Sequence, residues 1–475
     1  MRQIIKNFFY QASYQLILIL LPIVTIPIVS RALGPTGIGE WNYVNSIVNY
    51  FVLVAGLGLA NYGVREIVHV RNDKYNLSKK FFEIEFFNLI FSGSILIAYS
   101  IFIVNTTHNY LFILQSLVVV ASILDISWFF QGIEQFKKIT IVNVLVKIFS
   151  FLAIFFFVKH ESDLPRYVFI QSASILISSI SLWFFIKGKV SYVRVTFSEV
   201  IAHFFPALKF FVVKIAMSIS NNLTKTLLGS LASMVSVGYF SNSLTMILIS
   251  SSIIGALDTV MIPRMTYVHA NQSGEEMLGI FKKTIDVQIF FSFLISFGII
   301  LTNEKLIDWF FGKEFTFIIH IVPLLAPVIV LGTIHSAIAA QYLIPHDKML
   351  AYNINLIAAT VISVILSVLL IPIFGIYGAV VSYLAFQFYL CVGTSISMYK
   401  YSGFKFEFMK IGIYCLSGFL MYVSVTFITQ KFPSTPITTL IQVLVGTAVF
   451  LIISALFKVN PIFNFIMQKK NHTVI

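Results

Sequence analysis

This sequence is poor in charge, and poorer in acid than in base. Asp, Glu, Lys and Arg make up 11% of its 475 residues, with 19 acidic side chains against 32 basic. A soluble chain carries about 25% charged residues, so a water-soluble globule is excluded. Cysteine is nearly absent. Cys391 and Cys415 both sit inside apolar runs, which excludes a disulfide framework, a CxxC pair and a cysteine-built metal site. The phosphate-cradling GxxxxGK[ST] is missing, so the chain does not read as its own ATPase. GxSxG and HExxH are missing too. Segments between apolar runs reach only about 16 to 22 residues, which leaves no room for a soluble domain. The net charge of +13 does not call for nucleic acid, because the basic residues gather in alternate loops. The histidines are scattered, and one such as His335 reads as a packed, hydrogen-bonded residue, not a ligand. No cofactor is expected.

What the chain has is apolar length. Runs of about 20 residues recur from end to end, enough for a helix to cross a bilayer. A transmembrane barrel would show short alternating segments instead. The first run follows Arg2 and Lys6 without a small-residue cleavage site, so it reads as a retained helix and not a signal peptide. The expected fold is an all-α polytopic membrane protein of about 14 transmembrane helices. Spans one to five cover 10–30, 38–64, 81–104, 110–131 and 139–158. Span six covers 167–186, span seven 204–231, span eight 235–262 and span ten 318–342. An even count puts both termini on one side. With the N-terminus in the cytoplasm, 22 Lys and Arg lie in cytoplasmic segments and six in external ones. The positive-inside rule therefore predicts N-in, C-in.

The chain also repeats itself. At an offset of 199, Gly39 falls on Gly238, Gly56 on Gly255 and Arg65 on Arg264. At an offset of 210, Gln131 falls on Gln341, Asn143 on Asn353 and Ser172 on Ser382. Shared order and topology point to a duplication of six spans. Six spans preserve orientation, so the halves are parallel repeats, and transporters built this way bind substrate between them near the midplane. The predicted organisation is an N-terminal six-helix lobe (1–203), a C-terminal six-helix lobe (204–400) and an additional two-helix segment (401–475).

Span seven stands out. It carries Lys209, Lys214 and Lys225 and no acid, although a central Lys costs about 2.5–3.5 kcal/mol to insert. Lys214, Ser218, Asn221 and Lys225 fall at i, i+4, i+7 and i+11, one stripe on a helix. Lys214 lies roughly 15 Å deep, at 1.5 Å per residue. Lys225 lies near the external end, and Lys209 is close enough to the cytoplasm to snorkel. A cationic stripe at this depth suggests an anionic substrate. Other spans carry polar strips: Asn42, Asn45 and Asn49; Glu85, Asn88 and Ser92; Asn143, Lys147 and Ser150. These fit either a lumen or hydrogen bonds that hold helices together. Asp125 and Lys147 sit at similar depth in spans four and five, and fit either a buried ion pair or a role in ion coupling. Glu85 and Asp258 also lie in the cytoplasmic half of the membrane and are the other candidates for ion coupling. Glu83 is expected near the solvated surface, and Arg31 with Glu40 is expected to form a salt bridge across an outer turn. Pro22 and Pro27 are expected to interrupt span one, and Pro323 and Pro327 span ten.

Three stretches carry a family likeness: SRALGPTGIGE at 30–40, NYGVREI at 61–67 and DISWFFQGIEQF at 125–136. They resemble the polysaccharide transporter family, the Wzx-type flippases of the multidrug/oligosaccharidyl-lipid/polysaccharide exporter superfamily. The resemblance implies two six-helix lobes around a V-shaped central cavity, with two additional C-terminal helices. It implies a lipid-linked oligosaccharide substrate, linked through undecaprenyl pyrophosphate and moved to the external leaflet for capsule or O-antigen assembly. Exchange against an ion gradient is implied, H+ or Na+, as are a bacterial cytoplasmic membrane and partnership with a polysaccharide polymerase and chain-length proteins. A cationic lumen would be supplied by Lys147, Lys214 and Lys225. The open alternatives are a lipid II flippase and a drug antiporter of the same superfamily. A membrane enzyme of glycan polymerisation is a third, and the short loops count against it.

Overall fold

A computed structural model describes residues 2–106, 109–461 and 463; the side chains of 2–19, 209, 210, 212–214, 216, 217, 220 and 221 lie outside the description. Helices account for nearly all of it, with no strand among the described residues. That follows from the solvent. Lipid offers the backbone no hydrogen bonds, so each apolar run must satisfy its own. The helices are α1 (Arg2–Gly56), α2 (Leu59–Val70), α3 (Lys74–Val104), α4 (Asn109–Ile123), α5 (Ser127–Gly132), α6 (Phe136–Phe157), α7 (Leu164–Trp183), α8 (Phe197–Ile201) and α9 (Phe204–Leu231). They continue as α10 (Met234–Asn271), α11 (Gly274–Phe310), α12 (Val322–Leu325), α13 (Pro327–Ile338), α14 (Met349–Phe374), α15 (Ile376–Ser402), α16 (Phe408–Thr429) and α17 (Pro436–Leu456). Polar side chains mark their starts. Asp73 accepts from the Tyr75 and Asn76 amides at 2.9 and 3.2 Å, Ser273 caps α11, and Thr435 caps α17 just before a proline at its first turn.

Eleven helical stretches among the described residues are long and apolar enough to cross a membrane, so the chain is a multi-pass membrane protein. One of them, Leu20–Val70, holds most of spans one and two. Leu164–Trp183 and Phe204–Leu231, counted above as spans six and seven, are helical but are not among the eleven.

The breaks differ from those expected of the prolines. α1 runs on through Pro22 and Pro27, and bends instead at Gly34 (φ 62°, ψ 180°), just before Pro35. That backbone is open to glycine and strained for other residues. Span four, expected to be continuous, is broken at Leu124–Ile126 between α4 and α5. Span ten does break near its prolines, between α12 and α13, and passes into a π-helical turn at Ala339–Leu343.

The chain forms two compact units, Met1–Gly238 and Tyr239–Ile475. The first includes α9, which packs on α1 and α2. Its core gathers Phe81, Phe87, Trp128, Phe129 and Phe130. Two of the family-like stretches meet here. A Cβ on Gly63 would lie 2.8 Å from the Trp128 ring, so only glycine lets α2 close on α5. In the same unit the repeat-related Gly39 and Gly238 adjoin, where a Cβ on Gly39 would lie 1.7 Å from the Met234 carbonyl oxygen. The second unit has its own core around Phe281, Phe290, Tyr414 and Phe450.

Candidate functional site

In the first unit, α1, α4, α6 and α7 pack together, and two cavities open among α1, α6, α7 and the break after α4. One, of about 170 Å³, is walled by Thr25, Lys147, Ser150, Tyr167 and Gln171 with apolar neighbours. The other, of about 230 Å³, is walled by Asp125, Ser127, Asn143, Lys147 and Ser178 among others. Lys147 belongs to both walls. Gln171 donates to the Tyr167 hydroxyl at 3.2 Å, Trp41 packs edge-on against Tyr167 at 5.2 Å, and the Ser178 hydroxyl donates to Asn143.

The break at Asp125 explains the second cavity. Its carboxylate accepts from the Ser127 amide at 2.9 Å, turning the chain into α5. The Trp183 indole donates to the Leu124 carbonyl at 2.8 Å. Non-helical backbone at membrane depth is tolerated where it is buried in protein or lines a cavity; here Ile126 is buried and Asp125 lines the second cavity. Asp125 and Lys147 face the same cavity without forming an ion pair. Glu85, with 6% of its surface exposed, lies within electrostatic reach of Asp125, and its Oε2 has no hydrogen-bond partner. Its strip-mates do other work. Asn88 donates to the Ile123 carbonyl at 3.0 Å and Ser92 to the Ala55 carbonyl at 2.9 Å, so both tie helices together.

α9 is helical over the whole stripe. The Lys225 ammonium donates to Asn42 Oδ1 at 3.3 Å, and one turn of α1 on, Ser46 bonds Thr226 at 2.7 Å. No carboxylate among the described residues pairs with Lys225. Ser218 accepts from Asn222 at 3.3 Å through its hydroxyl. The side chains of Lys209, Lys214 and Asn221 lie outside the described residues.

Asp258 belongs to the second unit and has a different setting. It accepts from Gln288 and Gln341 at 2.9 Å each and from Ser336 at 2.7 Å, and no cation joins it among the described residues. Gln341 sits in the π-helical turn and also accepts from Thr284 at 2.6 Å. His335 bonds Gln387 at 3.1 Å, as a packed residue would. No group of three His, Cys, Asp or Glu gathers among the described residues to hold a metal ion.

Two expectations from the sequence are corrected. Glu83 is buried, with 5% exposed, not solvated. It bonds Lys80 at 2.6 Å and His203 at 3.2 Å, and His203 in turn bonds the Tyr62 hydroxyl at 2.6 Å. The cause is the connector after α7, which folds over α3: the Ser191 amide donates to Ser78 at 3.0 Å, and α8 packs on α3. Burial, then the nearby Lys80 charge, holds the His203 imidazole below its ordinary value. Arg31 and Glu40 do not pair. Glu40 accepts from Tyr110 at 3.4 Å, while Arg31 stays exposed to solvent, where an ion pair contributes little.

Taken over the whole chain, the fold is similar to folds solved for other membrane proteins. It superposes on the lipid II flippase MurJ in an inward closed conformation with a TM-score of 0.73, at 16% identity, covering 95% of this chain and 98% of that one. On an inward-facing multidrug resistance MATE family transporter of the MOP superfamily the TM-score is 0.63, at 13% identity, covering 81% and 94%. At such identities the likeness defines the fold alone. Residues 4–269, more than half of the sequence, match the model for polysaccharide biosynthesis proteins, and the chain belongs to that family. A stretch of 169 residues is 25% identical to the probable low-salt glycan biosynthesis flippase Agl15 of Haloferax volcanii, spanning about a third of that relative's length (35%).

Proposed function

We propose that the protein is a flippase moving lipid-linked oligosaccharide, joined through undecaprenyl pyrophosphate, from the cytoplasmic to the external leaflet for capsule or O-antigen assembly. One observation carries the reading: in a chain of the polysaccharide biosynthesis family, Lys147 stands in the wall of two cavities with no ion-pair partner among the described residues. A pyrophosphate entering low dielectric needs a positive charge nearby, and an ammonium already neutralised by Asp125 would offer less. Tyr167, Gln171, Asn143 and Ser178 suit sugar hydroxyls. Few convergent polar groups in an apolar wall are the usual make-up of a ligand site. Lys225 would add a second cation on α9, the helix that also carries Lys214, Ser218, Asn221 and Lys209. Asp125 at the helix break and Glu85 beside it are the proposed coupling acids, exchanging H+ or Na+. A polymerase and chain-length proteins would consume the product outside.

The test is translocation of a fluorescent undecaprenyl-pyrophosphate oligosaccharide by the purified protein in proteoliposomes. The wild type should move it, Lys147→Ala should lose most of the rate and Lys147→Arg should keep part. In cells, deletion should strand lipid-linked repeat units on the cytoplasmic face, and their normal appearance outside would reject the proposal. Essentiality in an otherwise wild-type cell would point to lipid II, and drug susceptibility that tracks expression would point to a drug antiporter.

A further inference from the structure

The largest of the cavities described lies away from Lys147, in the second unit, where α11 and α16 pack together. Its volume is about 360 Å³. Four lysines border it, Lys282, Lys283, Lys405 and Lys410, with Asp286 and Glu407 as the acids. Both acids are already committed. Lys410 bonds Asp286 at 2.5 Å, and the Tyr414 hydroxyl donates to the same carboxylate at 2.9 Å. Lys282 bonds Glu407 at 2.6 Å and holds that carboxyl below its ordinary value. Lys283 and Lys405 have no acidic partner among the described residues, and the Lys405 ammonium lies 6.0 Å from the Tyr399 ring. Two positive charges therefore stand uncompensated on the rim.

The rest of the wall is apolar. The connector after α15 is extended, and its residues alternate: Phe404 and Phe406 turn toward the core while Lys405 and Glu407 are exposed. Phe404 packs edge-on against Phe281 at 5.2 Å, which fixes that wall on α11. Ile285, Ile289 and Ile411 complete the interior. A soluble anion would have no use for this surface, and a neutral lipid none for the lysines.

We propose that this cavity binds the headgroup of an anionic phospholipid, with the phosphate between Lys283 and Lys405 and the upper acyl chain along Phe406, Ile285 and Ile411. The basic excess of these loops puts the site at the cytoplasmic leaflet, where anionic lipids attract lysines. The site is separate from the Lys147 cavities and does not depend on what the protein transports.

The experiment is lipid retention by native mass spectrometry of the delipidated full-length protein, titrated with phosphatidylglycerol or phosphatidylcholine. Phosphatidylglycerol should bind preferentially. Affinity should drop roughly fivefold per lysine removed, thus on the order of thirtyfold in the Lys283→Gln, Lys405→Gln double variant. The Lys283→Arg, Lys405→Arg variant should keep it, which separates lost charge from lost folding. Equal binding of both lipids would overturn the proposal and leave a merely apolar groove. Displacement by millimolar inorganic pyrophosphate, or an unchanged affinity in the double Gln variant, would overturn it as well.

Discussion

The two units each carry acid within apolar helical segments, Asp125 half-buried and Asp258 buried, and they treat it in opposite ways. In the first, Asp125 sits on a helix break, shares a cavity wall with Lys147 and makes no ion pair with it. In the second, Asp258 is enclosed by Gln288, Gln341 and Ser336. Neutral donors that satisfy a carboxylate lower the cost of burying it, but they also occupy the positions a ligand would need. Unsatisfied charge beside empty space is the costlier arrangement and the one available for binding. The difference teaches that residue type does not assign the role of a membrane acid. Its partners do.

That comparison can be broken most directly at Asp258. Asp258→Ala removes the acceptor of two buried amides and a half-buried hydroxyl and should destabilise the protein by about 3–5 kcal/mol, since each orphaned group costs about 1–3 kcal/mol. Thermal unfolding in detergent reads it, and a near-native midpoint would show that the network is not structural. Second in size is Gly63→Val, which forces α2 away from Trp128 and should cost about 1–3 kcal/mol by overpacking. The same melting curve measures it. On the other side of the comparison, Lys147→Ala should leave the midpoint within about 1 kcal/mol of wild type, as expected of a residue with no partner to strand. Its transport should fall on the order of tenfold, about 1.4 kcal/mol. A stability loss as large as that of Asp258→Ala would erase the contrast.

The smallest effect is set by pH around α8. His203 titrates below its ordinary 6.5, so the folded state prefers the neutral imidazole. The unfolded chain then binds more protons below pH 6.5, and stability present above that value declines as pH falls. Glu199 is held down to about 2 by the Lys79 ammonium and the Thr196 amide, against an ordinary 4.5. Its contribution is complete above pH 4.5 and disappears between 4.5 and 2. Stability measured from pH 7 to 5 should therefore fall in the wild type and less in His203→Gln. Glu199→Gln should matter only below pH 4.5.

Much of the fold was legible in the sequence because lipid leaves the backbone so few choices. The apolar runs became helices, and the strip of Asn143, Lys147 and Ser150 does turn toward cavities. What escaped depended on partners distant in sequence. The Asp125 break falls inside an uninterrupted apolar run, and it is held by a Trp183 indole 59 residues away. The burial of Glu83 comes from a connector more than 100 residues downstream, and only folding puts Ser191 against Ser78. Prolines misled for a local reason. Pro22 and Pro27 are accommodated inside α1, while the bend is carried by Gly34, whose positive φ glycine adopts without strain. In span seven the i, i+4 spacing was readable, but the tie from Lys225 to Asn42 reaches back 183 residues.

One contact has a wider consequence. Gly63 and Trp128 come from the two stretches that make the chain recognisable, and they touch each other, not a cavity. What identifies the family in those positions is a joint between helices. Such a signature is blind to cargo: it certifies that the machine is assembled and says nothing of what passes through it. On the proposed function, cargo is to be read from the cavity walls, at Lys147, Tyr167 and Gln171, and not from that joint.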